Sequence, residues 1–230
     1  MNLLSGTLGV IFTLEGRIDI AFPLMLAAAC FDFCDGLAAR LLGAYSDIGK
    51  ELDSLADMVS FGVLPSVMLY SLMGSGQWTR FIPLCIAVFS GLRLAKFNID
   101  ERQHTSFVGL PTPACAIICG SMAYCVSAGR AGSLPLLSGL CGTCWFIPVV
   151  SILLSILLVC GLPMFAMKFG KGISVGKMLK IKRLIFLLSF IPIVVSVILM
   201  KADWALVILL AFVIYILINV FFALFCRSAE

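Results

Sequence analysis

Apolar residues run almost unbroken along this chain, and polar residues fall in short clusters between the runs. The runs lie near 3–14, 18–42, 52–73, 81–97, 111–126, 145–167, 184–200 and 204–225. Most have the length of about 20 residues that a helix needs to span a bilayer. The pattern therefore predicts an all-α fold, a polytopic membrane bundle of about eight transmembrane helices. Gly- and Pro-rich stretches at 74–76, 109–113 and 129–135 punctuate it. No cleavable signal, soluble domain, low-complexity tract or internal repeat is expected.

Composition agrees, with 62% hydrophobic and 12% charged residues and a mean hydropathy of +1.15, far from the balance of a soluble domain. Lys and Arg accumulate on the cytoplasmic side of membrane proteins. With the N-terminus inside, only Arg17, Arg80, Arg130 and Lys201 of the 16 Lys and Arg fall on the outer side, so the orientation is well biased. The basic stretch 168–183 is then a cytoplasmic loop whose charges act as a topology signal. Of the ten cysteines, Cys30, Cys34, Cys115, Cys119 and Cys160 sit inside apolar runs, where Cys serves as a small hydrophobe. Cys141 and Cys144 form one C-x-x-C, read as packing near a helix start.

Four carboxylates break the second and third runs. Asp32 and Asp35 are three residues apart, Asp53 and Asp57 four apart, so each pair shares one helix face. Two neighbouring helices can thus point four acids into one pocket. Charge at membrane depth costs roughly 2.5–3.5 kcal/mol per residue on insertion scales, and the four would repel one another. Bound Mg2+ or Mn2+ offsets both costs, and such hard cations commonly take phosphate as a further ligand. Small residues, Gly36, Ala39 and Gly49, surround the acids, and Arg40 lies one turn beyond Asp35 and Gly36, placed to pair with phosphate. Under the basic-residue bias, this cluster sits toward the cytoplasmic ends of its helices.

The full spacing, D-x-x-D-G-x-x-A-R-x8-G-x3-D-x3-D from Asp32 to Asp57, resembles the signature of the CDP-alcohol phosphotransferase family. The resemblance implies a polytopic helical enzyme that transfers a phosphatidyl group from a CDP-linked lipid to an alcohol and releases CMP. Carried over residue by residue, it makes Asp32, Asp35 and Asp53 ligands of two divalent cations, Mg2+ or Mn2+. Asp57 becomes the general base that also touches a metal, and Asp35, Gly36, Ala39, Arg40 and Gly49 shape the CDP-lipid site. A single membrane domain over 1–230 is expected, with a catalytic core of about 1–167 and additional helices at about 181–226.

Further residues are similar to the phosphatidylserine synthase branch: K-E-L-D-S-L-A-D-M-V-S-F-G-V-L-P from Lys50, R-L-A-K-F-N from Arg93, F-V-G-L-P-T-P-A from Phe107 and the opening N-L-L-S-G from Asn2. That branch implies CDP-diacylglycerol and L-serine as substrates. Lys96 stands where the branch has a second Arg, and the segment that the family carries before its first helix is expected to be absent. Serine offers a hydroxyl between a carboxylate and an ammonium. Arg93 and Lys96 are the candidates for its carboxylate, Glu51 for its ammonium and Asn98 for either. Membrane lipids and a second copy of the chain, forming a homodimer, are the other expected partners, and no nucleic acid is. The location implied is a bacterial inner membrane with the site facing the cytoplasm. Rival readings are a related transferase using inositol phosphate or glycerol 3-phosphate and, from another class, a cation transporter. His104, the sole histidine, reads as a solvated loop residue.

Overall fold

The computed structural model describes residues 1–43, 46–74, 76–99, 107–127, 139–161, 163–164, 186, 188–190, 192–195, 197 and 203–225. Four helical stretches, Ile18–Ala39, Asp47–Leu72, Trp78–Ile99 and Trp204–Phe222, are long and apolar enough to cross a membrane, and Asn2–Leu14, Thr112–Val126 and Phe146–Val159 are shorter apolar helices. The chain is thus a helical membrane protein. The run 184–200 is described only in part, and the basic stretch 168–183 and His104 lie outside the described residues.

In chain order the helices are α1 (Asn2–Leu14), α2 (Ile18–Leu42), α3 (Asp47–Asp57), α4 (Leu64–Leu72), α5 (Cys85–Ile99), α6 (Thr112–Val126), α7 (Phe146–Val159) and α8 (Trp204–Phe225). A π-helical turn, Met58–Val63, joins α3 to α4 without a break, and a 3-10 segment, Trp78–Leu84, leads into α5. Two boundaries differ from the sequence pattern. The third span begins earlier, at Asp47, because its first turns are amphipathic rather than apolar. The run 145–167 ends as helix at Val159, since Pro163 has no N–H for a helical ladder. There the chain forms a two-residue strand, Pro163–Met164, antiparallel to Phe107–Val108.

The packing inverts the pattern of a soluble bundle. The buried face of α1 is Asn2, Ser5, Gly6, Gly9 and Thr13, while Leu3, Leu4, Leu8, Ile11 and Leu14 point outward. Lipid is as apolar as leucine, so small residues at the helix contacts, which let backbones approach, replace hydrophobic burial as the glue. A Cβ on Gly6 would collide with Ser60, and one on Gly9 would lie 2.7 Å from Leu64. These two glycines seat α1 against the π turn and α4. Ser5 Oγ donates to the Leu24 carbonyl at 2.7 Å and ties α1 to α2.

Helix α6 is buried along nearly its whole length, between α2, α4 and α8. Phe22, Tyr124 and Trp204 form a three-ring cluster with centroids 5.4–5.6 Å apart. Each such pair contributes about 0.5–1.5 kcal/mol beyond area burial, and together the rings join α2, α6 and α8. The core therefore fixes α2 firmly while its C-terminal half, from Phe31 on, projects past the packed helices with most side chains exposed.

Candidate active site

Two local signals place the acids. Helix α2 ends where Gly43 adopts φ +61°, a left-handed cap that suits glycine. Helix α3 starts at Ser46, whose Oγ accepts from Gly49 N at 3.0 Å, an N-cap worth about 1 kcal/mol. With these two ends set, Asp53 of α3 faces Asp32 and Asp35 of α2.

Carboxylate oxygens of Asp32, Asp35 and Asp53 lie within 4.8 Å of one another. Asp32 is half-buried and the other two are exposed. The backbone holds one of these oxygens: Gly36 N donates to Asp35 Oδ1 at 2.9 Å. The donor set fits a hard divalent cation. Asp35, Asp53, Gly36, Ala39 and Gly49 line one cavity of about 900 Å³, together with Asn2, Ser46 and Lys50. Nothing lies within 4 Å of a Cβ built on Gly36, so the wall there is open to a bulky group. Arg40 falls in α2, and its side chain lies outside the described residues.

Asp57 lies beside the triad, its carboxyl within hydrogen-bonding reach of Asp32. It is half-buried, feels the charges of Asp32 and Asp53, and accepts from Asn2 Nδ2 at 2.9 Å. Asn2 is 2% exposed and was not among the residues singled out by the spacing. Its sequence signs are an amide at the head of an apolar run and its place in the N-L-L-S-G opening.

The residues considered for the acceptor divide. Glu51 and Asn98 come together: Asn98 Nδ2 lies 3.4 Å from Glu51 Oε2 and 3.0 Å from Ser54 Oγ, and Lys50 Nζ donates to the Asn98 carbonyl at 3.3 Å. This small network ties the start of α3 to the end of α5. Arg93 is half-buried two turns back on α5, with Nη1 donating to Thr112 Oγ1. Its Nε is buried without a partner among the described residues. Lys96 is exposed. Cys141 and Cys144 are free thiols, and Cys144 Sγ accepts from Gln77 Nε2 at 3.1 Å.

Three clustered carboxylates beside an open cavity, in a chain with membrane-length apolar helices, define a class: a helical membrane protein with an acidic triad able to hold a metal ion. The chain matches the CDP-alcohol phosphatidyltransferase family over residues 1–145 and belongs to that family. It is 36% identical over 177 residues to a CDP-diacylglycerol--serine O-phosphatidyltransferase of Mycobacterium leprae, covering 71% of this chain and 55% of that protein. The enzyme of the same name from Bacillus subtilis is 41% identical over 116 residues, 49% of this chain and 64% of that one. An archaetidylserine synthase of Methanothermobacter thermautotrophicus is 36% identical over 124 residues, 53% of each. The chain spans about half the length of the curated relatives it matches.

Proposed function

We propose that the protein transfers a phosphatidyl group from CDP-diacylglycerol to the hydroxyl of L-serine, giving phosphatidylserine and CMP. The observation that carries this reading is the convergence of Asp32, Asp35 and Asp53 beside a cavity walled by Gly36, Ala39 and Gly49, in a chain of this family. The names of its relatives favour serine as the acceptor.

In this reading Asp32, Asp35 and Asp53 hold two divalent cations, with Asp57 bordering them. When bound, these supply charge neutralisation at the pyrophosphate and at the departing CMP. The protein's own groups do the rest. Gly36, Ala39 and Gly49 leave room for the nucleotide, and Arg40 pairs with phosphate. Asp57 accepts the proton of the serine hydroxyl as its oxygen bonds to the phosphatidyl phosphorus and the bond to CMP breaks. Direct attack of this kind needs no nucleophilic side chain. Arg93 and Lys96 serve the serine carboxylate, and Glu51 with Asn98 the ammonium.

The bias of basic residues orients the site toward the cytoplasm, in the inner membrane of a bacterium. The core of about 1–167 carries the chemistry, and the helices at about 181–226 are an addition to it. The deciding experiment is an acceptor screen with purified protein, CDP-diacylglycerol and Mg2+ or Mn2+. CMP release and a new lipid with serine support the reading. Product with inositol phosphate or glycerol 3-phosphate and none with serine reassigns the acceptor, and no CMP release with any acceptor favours ion transport.

A further inference from the structure

Asn2 is the most buried polar side chain touching the candidate site, and its environment is lopsided. Its Nδ2 has one partner, Asp57 Oδ1, across 55 positions of sequence. Its Oδ1 is buried with no partner among the described residues. The alternative amide orientation would aim a carbonyl oxygen at a carboxylate, so Asp57 alone dictates how the amide points. Its backbone is fixed as well: Ser60 Oγ donates to the Asn2 carbonyl at 3.2 Å, and Gly6, one turn along α1, allows that approach because a Cβ there would meet Ser60.

A buried acceptor left unsatisfied is a cost that an apolar side chain of similar size would not carry. Stability is therefore a poor reason for an amide here. What the amide supplies is a rigid donor that occupies one oxygen of Asp57 and so fixes the plane of the carboxylate, leaving the other oxygen to be aimed. Buried partners that orient a reacting group in this way are commonly worth roughly tenfold to a hundredfold in activity.

We propose that Asn2 is a positioning residue for Asp57, holding its carboxylate in the orientation from which it takes the proton of the acceptor hydroxyl. The inference rests on the role given to Asp57 above. The experiment is a double-mutant cycle on purified protein, with Asn2→Leu, Asn2→Ala, Asp57→Asn and the two Asn2 substitutions in the Asp57→Asn background. CMP release and thermal unfolding in detergent are the readouts. Asn2→Leu should lower kcat by roughly tenfold to a hundredfold, leave KM for CDP-diacylglycerol within about twofold, and lower the unfolding temperature only slightly, since loss of the donor to the half-buried Asp57 is partly offset by removal of the unpaired Asn2 Oδ1. In the Asp57→Asn background the same change should cost less than about twofold, since a group acting through Asp57 has nothing left to act on. Additive losses overturn the inference, as does a fall in kcat that follows a fall in unfolding temperature in both Asn2 variants. Near-normal turnover by Asp57→Asn alone overturns the role of Asp57, and the inference with it. A crippled Asp57→Asn with additive losses removes Asn2 alone.

Discussion

The helix from Asp47 to Leu72 has two halves that obey opposite rules. Its second half, α4, is saturated: Leu64, Met68 and Leu69 are fully buried, and Tyr70 lies beneath the Arg80 guanidinium, 4.1 Å from ring centroid to Cζ. Its first half, α3, leaves Glu51, Asp53 and Lys50 exposed and points Asp53 at an open cavity. The π turn Met58–Val63 separates them, with Ser60, Phe61 and Gly62 buried. A π turn adds a residue to the ladder and rotates everything beyond it, so the acid face and the packed face need not share one phase. Where the protein satisfies its side chains itself, substitution should show as lost stability. Where it leaves them facing a cavity, substitution should show as lost chemistry.

The largest break in that contrast comes from the triad. Asp32→Asn, Asp35→Asn or Asp53→Asn should each reduce CMP release below detection, as should excess chelator with the wild-type protein. Each keeps its shape and removes one of several mutually repelling charges, so the unfolding temperature should hold or rise. Full activity in chelator would falsify the metal reading. Asp57→Asn follows, with a loss of about a hundredfold to ten-thousandfold in kcat and little change in the CDP-diacylglycerol concentration at half-maximal rate.

Those residues were legible in the sequence because a helix keeps its own spacing. Three- and four-residue intervals fix which side chains share a face, whatever the helix packs against. Asn2 was not legible, since its meaning depends on α1 lying against α3 and on a contact 55 residues away. The pairing of Asn98 with Glu51 and Ser54 was hidden for the same reason. The early end of α7 could be read from Pro163, but not the pairing of Pro163–Met164 with Phe107–Val108, more than 50 residues back. Apolar runs also give span positions but not burial: in α1 the large side chains face outward and the small ones inward, a choice that hydropathy alone does not make.

The packed half supplies the converse test. Met68→Ala removes a fully buried side chain and should destabilise by about 2–5 kcal/mol, visible as a lower unfolding temperature, with kcat per folded molecule near wild type. A selective fall in kcat would tie α4 to the chemistry and erase the contrast between the halves. Arg93→Ala should have a smaller effect, confined to the acceptor. A hydrogen bond to a charged group is worth about 1.5–3 kcal/mol, so the serine concentration at half-maximal rate should rise by about tenfold to a hundredfold. Thr112→Val removes the contact that holds the guanidinium and tests the other role, an anchor between α5 and α6. If it lowers stability as Arg93→Ala does and neither alters serine dependence, Arg93 belongs with the packed residues.

The smallest effect sharpens the comparison at the first turn of α3. Ser46 caps the helix through Gly49 N, and a Cβ on Gly49 would lie 2.9 Å from the same Oγ. The cap thus leaves no room for a side chain at Gly49, and the proposed function asks for nucleotide space there as well. The two requirements separate genetically. Ser46→Gly should cost only a few tenths of a kcal/mol, and Ser46→Ala about 1 kcal/mol, for the lost cap. Gly49→Ala in the wild-type background meets both the hydroxyl and the cavity. In the Ser46→Gly background it meets the cavity alone, so any stability it lost should return while its effect on CDP-diacylglycerol dependence persists. If removing the hydroxyl restores both, Gly49 is there for the cap, and the small-residue wall of the cavity narrows to Gly36 and Ala39.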